Sequence, residues 1–90
     1  FLPEEIKLYP SYPNPFNPST TISLGITNAA FIKVSIYDVN GRLVDNLYDS
    51  VIAPGYYQLA WHATNKASGI YFVLLESAGQ IKTQKLVLMK

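Results

Sequence analysis

The residues able to do chemistry are few and scattered. His62 is the single histidine and cysteine is absent, so the chain cannot build an ordinary zinc site, and a lone imidazole is a poor start for any metal. His62 reads as the surface end of a strand that carries Trp61. Asp38, Asp45 and Asp49 fall around one hairpin and could hold a calcium ion. They lack the alternating acidic spacing of a calcium loop, which favours solvated turn carboxylates. Glu4 and Glu5 are adjacent, whereas a glycosidase pair converges from separate strands inside a cleft. No serine or threonine sits in a nucleophile elbow. The expectation is a non-enzymatic domain with no catalytic residue, metal site or cofactor. Asp38 has a simpler role, since its carboxylate can accept N–H groups from the Asn40-Gly41 turn, with Arg42 close enough to pair.

Aromatic side chains offer a second chemistry. Seven tyrosines and one tryptophan could form a sugar-stacking platform, as in a carbohydrate-binding module. Yet Tyr57, Leu59 and Trp61 alternate on one strand face, the pattern of a core. Tyr9, Tyr12 and Phe16 are expected to cover a sandwich edge that could otherwise pair with another chain. Tyr56 and Tyr71 read as exposed rings without an assigned role.

The elements that must position these residues are strands. Period-two alternation runs through Ile6 and Leu8, through Ile22, Leu24 and Ile26, and through Ile32, Val34 and Ile36. Asn40-Gly41 predicts a type I′ hairpin turn with both residues at positive φ, and Arg42 to Leu47 is the return strand. Pro54-Gly55 marks another turn, Lys66 to Gly69 a loop, and Ala78-Gly79 the last turn. Ile70 to Leu75 is apolar on both faces and predicts a central strand. Ile81 to Met89 is the final strand. Seven short strands with turn signals every eight to twelve residues predict an antiparallel, immunoglobulin-like β-sandwich, although the Cys–Trp–Cys signature of antibody domains is missing.

Composition narrows the function classes. Ninety residues suit one small domain, and 49% hydrophobic residues suffice for a core. Seven basic against six acidic side chains leave too little charge to follow a phosphate backbone, which argues against nucleic acid as a partner. No apolar run is long enough for a transmembrane helix. With Phe1 at its start and no signal peptide, the chain reads as the C-terminal piece of a longer polypeptide, any export signal lying elsewhere.

Two segments stand apart from this ordinary pattern. Tyr12-Pro13-Asn14-Pro15-Phe16-Asn17-Pro18 holds three of the six prolines. Each fixes φ and lacks an N–H, and each drives its predecessor toward extended geometry. The segment is therefore a stiff, extended lead-in with Asx-type turns expected at Asn14 and Asn17. The second segment is the ending, Lys85-Leu86-Val87-Leu88-Met89-Lys90. A terminal strand can peel away without threading the chain, its backbone can add to a receptor sheet, and a terminal carboxylate can be captured by N–H groups. The same residues can equally close the core, with Lys82, Lys85 and Lys90 as gatekeepers against aggregation.

Four blocks in register carry a family resemblance. Tyr12-Pro-Asn-Pro-Phe-Asn-Pro-Ser-Thr-Thr-Ile22, Val34-Ser-Ile-Tyr-Asp-Val-Asn-Gly-Arg-Leu-Val44, Ser68-Gly-Ile-Tyr-Phe72 and Lys85-Leu-Val-Leu-Met-Lys90 closely resemble the type A C-terminal sorting domain of the type IX secretion system. Such domains occur on exported proteins of Bacteroidota and related phyla. The motif residues in this chain include Tyr37, Asp38, Gly41, Arg42, Gly69 and Tyr71 beside the proline segment. The resemblance implies an immunoglobulin-like sandwich, residues 1–90 as one sorting domain, and residues 1–7 as linker or first strand from a cargo protein. It also implies passage through periplasm and outer membrane to the cell surface or medium, with the secretion machinery and a sortase-like protease as partners. Cleavage would fall around or before Phe1 to Lys7, and Lys85 to Lys90 would be the sorting signal. A related resemblance, through the Tyr-Asp-x-x-Gly-Arg and Ser-Gly-x-Tyr blocks, is to the immunoglobulin-like domain of flagellar hook-capping proteins. That makes a structural module or spacer the competing reading, with a carbohydrate-binding module third. The family often carries Trp-Asp-Gly where this chain has Trp61-His62-Ala63, so the connection after Trp61 departs from its pattern.

Overall fold

A strand that alternates apolar and polar residues has one face to bury, and two sheets of such strands bury their faces against each other. The computed structural model of the chain describes residues 6–90; the Glu4-Glu5 pair and most of the expected cleavage region lie outside them. Seven strands follow in order: β1 (Lys7–Leu8), β2 (Ser19–Ile26), β3 (Ala30–Asp38), β4 (Leu43–Ile52), β5 (Gly55–His62), β6 (Gly69–Ser77) and β7 (Gln80–Leu88). They form two antiparallel sheets, ordered β1-β2-β5 and β4-β3-β6-β7. Helices are absent among the described residues. This is the expected immunoglobulin-like sandwich.

The core is the set the alternation marks. Ile22, Leu24 and Ile26 of β2 face Ile32, Val34 and Ile36 of β3, with Tyr71, Val73 and Leu75 of β6 and Leu86 and Leu88 of β7. Trp61 is the largest side chain among them, with the Phe16 ring 5.5 Å away and the Tyr71 ring 5.3 Å away. Each buried aliphatic side chain contributes about 1.5–3 kcal/mol. The exposed Arg42–Asp38 ion pair contributes at most about 1 kcal/mol, so packing holds the sandwich together. β6 is interior to its sheet, as its apolar run predicts. Only its Tyr71, Val73 and Leu75 side is buried; Ile70 and Phe72 look outward.

The type I′ turn falls elsewhere than expected. At Asn40-Gly41 the carbonyl of Asp38 accepts from Gly41 N–H at 3.0 Å and Asp38 N–H donates to Arg42 O at 3.0 Å. Gly41 sits at φ 79° while Asn40 stays at negative φ. The turn is centred on Val39 and Asn40, and Gly41 supplies a bulge residue after it, a three-residue loop in place of the two-residue type I′ turn. The β3–β4 ladder also slips further in, between Ile36 and Tyr37, where Val44 is the extra residue. The type I′ geometry occurs instead at Ala78-Gly79, with φ 49° and 81° between the paired Ser77 and Gln80.

Tyr71 corrects an expectation. It is buried, and its hydroxyl donates to Ala67 O at 2.6 Å. The same arrangement recurs at Tyr57, whose hydroxyl donates to Ala53 O at 2.7 Å. In each case a glycine stands two residues before the tyrosine, Gly55 at φ 148° and Gly69 at φ 152°. These angles let the chain turn into the strand so that the ring folds back over it. Gly-x-Tyr is thus a repeated device for starting a strand, and a tyrosine corner in its physics.

Candidate recognition site at the last strand

β7 is an edge strand whose one side pairs with β6. Its other side is not open at the C-terminal end. The proline segment runs along it, and Phe16 forms a parallel bridge with Leu88. Phe16 N–H donates to Val87 O at 2.9 Å, and Met89 N–H donates to Phe16 O at 2.9 Å. Asn14 completes the seal with its side chain. Its amide donates to Lys85 O at 2.9 Å and its carbonyl oxygen accepts from Val87 N–H at 3.0 Å. Prolines cannot donate to a ladder, so Asn14 Nδ2 and Phe16 N–H do the donating between them. Below this, Gln84 Oε1 accepts from Ser11 N–H and Ser11 Oγ at 2.7 and 2.6 Å, while Gln84 Nε2 donates to Tyr9 O at 2.8 Å.

This strap revises two expectations from the sequence. Asn14 does not close a local Asx turn but serves a strand more than 70 residues away. Of the three aromatics expected to cover the edge, Phe16 is 2% exposed and packs in the core, whereas Tyr12 is 80% exposed. Tyr12 contributes through its backbone, exchanging hydrogen bonds with Thr21 at 2.9 and 3.1 Å. Pro13 O accepts from Thr20 Oγ1 at 2.7 Å, and Pro18 O accepts from Ala63 N–H at 2.8 Å. Pro15 lies exposed between them. The strap therefore closes the edge mainly by hydrogen bonding and by one plug, Phe16. Ala63, where the chain departs from the family pattern, is fully buried and held by Pro18.

The ending is divided by its strand period. Leu86 and Leu88 are in the core, while Lys85, Met89 and Lys90 are exposed and Val87 is half-buried. Lys90 folds back toward the loop before β6, its N–H donating to Ser68 Oγ at 3.1 Å and its Nζ to Thr64 O at 2.8 Å. Addition of Lys85–Met89 to a receptor sheet is thus pre-empted in the folded state, because Asn14 and Phe16 already hold the backbone groups such pairing would use.

The remaining motif residues have structural roles. Asp38 Oδ1 accepts from Asn40 N–H at 2.9 Å and Arg42 N–H at 3.0 Å, and Oδ2 accepts from Arg42 Nε at 3.2 Å. These bonds, led by that from the Arg42 backbone, hold its carboxyl below the ordinary aspartate range. Asp45 does something the sequence did not signal: Oδ2 accepts from the Trp61 indole N–H at 3.1 Å. No group of three metal-ligating side chains occurs among the described residues. His62 ends β5 at the surface, its Nδ1 2.7 Å from Ser19 Oγ on the neighbouring strand. That contact is solvent-exposed, with no carboxylate bonded to the imidazole, so the pair is a cross-strand hydrogen bond and not an activated nucleophile.

Trp61 is buried, which removes the strongest sugar-stacking ring. Tyr9 and Tyr56 border a shallow hollow of about 430 Å³, but their rings are tilted by 40° at 6.3 Å and present no common plane.

No curated protein matches the chain. The family model of the secretion system C-terminal sorting domain matches residues 11–89, from Ser11, whose N–H and hydroxyl bond Gln84, through the strap to the end of the sealed edge. A match across nearly the whole sandwich, with the proline strap and the last strand locked together inside it, establishes that this chain belongs to the family of C-terminal sorting domains that act as signals for type IX secretion.

Proposed function

We propose that the folded sandwich is bound by the outer-membrane translocation machinery at the C-terminal end of β7, with Lys85 to Lys90 as the signal. A sortase-like protease then separates the cargo N-terminal to the sandwich, around or before Phe1 to Lys7. The observation that carries this reading is the family match over residues 11–89, which makes the chain a sorting signal fused behind a cargo destined for the cell surface or the medium. The exposure of Lys85, Met89 and Lys90 supports the ending as the part a receptor can touch without unfolding the domain.

The test is an export assay with a reporter that carries a periplasmic signal peptide and is fused ahead of residues 1–90, in a host with type IX machinery. Removing Leu86 to Lys90 would delete two core residues, so the informative deletion is Met89-Lys90 alone. Reporter in the medium from the intact fusion, with a marked loss on that deletion and unchanged melting, supports recognition at the ending. Retention of the intact fusion in the periplasm, while the host exports its own cargo, would discard the reading.

A further inference from the structure

We infer that the machinery docks on the outer face of the four-stranded sheet at its C-terminal end, through a protein surface that is apolar with carboxylates at its rim. This rests on the sorting reading above and names the contact surface. The strand register divides that face into rows. Asp49, Lys33, Glu76 and Ile81 lie across the sheet at one end, and Leu43, Tyr37, Phe72 and Lys85 lie across it toward the other. Beyond the second row, Ile70 pairs with Val87. Leu43, Ile70, Phe72 and Met89 are all exposed and adjoin the signal residues, while a second exposed apolar group, Phe31, Val51 and Ile81, lies at the far end of the same face. Exposed large apolar side chains gathered in one place, unlike single ones, mark an interaction surface.

Strand addition and contact with the apolar side chains of Leu86 and Leu88 are both closed in the folded state. Leu86 and Leu88 are buried and the strand edge is occupied by Asn14 and Phe16. The outward side chains of Lys85, Val87 and Met89, with Lys90 after them, remain accessible, and Lys85 and Val87 stand beside Phe72 and Ile70. Charge selects the partner. Lys85 is exposed at this end, and among the described residues no carboxylate pairs with it, whereas Arg42 at the opposite edge of the sheet is already engaged by Asp38. The unengaged carboxylates of the face, Asp49 and Glu76, belong to the far row. An apolar patch with the unpaired Lys85 at its border fits an apolar patch bordered by carboxylates.

The experiment uses the same reporter fusion. Phe72→Glu/Lys85→Glu should cut export roughly tenfold or more, as loss of a central contact does. Phe31→Glu/Val51→Glu, two exposed positions at the far end of the same sheet, should export like the parent. Both are compared at equal melting temperature; should the first double variant melt early, Lys85→Glu alone carries the comparison, because that side chain is exposed. Export of the Phe72/Lys85 variants at the parent level overturns the docking face while leaving the sorting reading intact. Equal loss in the Phe31/Val51 variant overturns its placement at the C-terminal end. Cosedimentation of the domain with phosphatidylglycerol vesicles, lost in Phe72→Glu/Lys85→Glu, would replace the protein partner with a lipid surface. Failure of the unaltered fusion to leave the periplasm identifies failure of the sorting reading itself.

Discussion

The indole N–H of Trp61 donates to Asp45 Oδ2 at 3.1 Å, tying β5 in one sheet to β4 in the other. It is a polar link reaching into an apolar interior, and it sets the height of the largest core side chain between Phe16 and Tyr71. Asp45→Ala leaves a buried donor without its acceptor, at a cost on the order of 1–2 kcal/mol. For a domain of this size that lowers Tm by roughly 4–16 °C. Asp49→Ala, on the same strand and exposed, should stay within about 0.5 kcal/mol of the parent. Equal melting of the two variants would show that the link carries no stability.

Asn14 imitates two backbone positions at once. Asn14→Ala should release Lys85 O and Val87 N–H to solvent and speed hydrogen exchange at the Val87 amide, with a loss on the order of 1 kcal/mol. An opened edge is also a template for pairing between chains. Sedimentation of Asn14→Ala should therefore show concentration-dependent association that the parent lacks. Unchanged exchange at Val87 would mean that Phe16 alone seals the strand.

The two tyrosine corners differ in burial, which predicts an order. Tyr71→Phe removes a partly buried bond to Ala67 O beside the core and should cost about 1–1.5 kcal/mol. Tyr57→Phe removes an exposed bond and should cost less. Chemical denaturation of both variants measures the order directly.

Asp38 gives the hairpin an acid sensitivity with a fixed sign. Its folded pKa lies below the ordinary aspartate value because backbone N–H groups and Arg42 favour the charged form. The stabilisation is therefore complete above about pH 4 and disappears as pH falls through the lowered value. The Tm difference between the parent and Asp38→Asn should be constant near neutrality and shrink in strong acid. A difference that grows on acidification would contradict this assignment.

Leu86 separates folding from recognition. Leu86→Ala should cost about 2–5 kcal/mol because the side chain is fully buried. Lys90→Ala should change stability by less than about 0.5 kcal/mol and yet lower export. Parallel melting and export measurements on the two variants distinguish damage to the sandwich from damage to the signal.

The sandwich was legible because its information is local. Period-two alternation named Ile22, Leu24, Ile26, Ile32, Val34, Ile36 and Trp61 as core, and all are buried. Asp38 was readable for the same reason, since its partners Asn40 and Arg42 lie within four residues. The motif blocks identified the family through their order along the chain. Neither inference needs to know how distant segments meet.

What the sequence could not supply depends on such meetings. Tyr71 looked exposed on an all-apolar strand, and only the second sheet's Trp61 shows which side of β6 is inside. Asn-Gly implied a two-residue turn, but pairing beyond the loop placed the turn one residue earlier and made Gly41 a bulge. Asp45 carried no signal for Trp61, because their bond crosses between sheets. Prolines at residues 13, 15 and 18 determined that the segment is stiff and cannot be a central strand. That it lies along β7 and closes the strand bearing the signal was decided by tertiary structure alone. Backbone hydrogen bonding is identical in every strand, so only the packed arrangement selects which edge receives the strap.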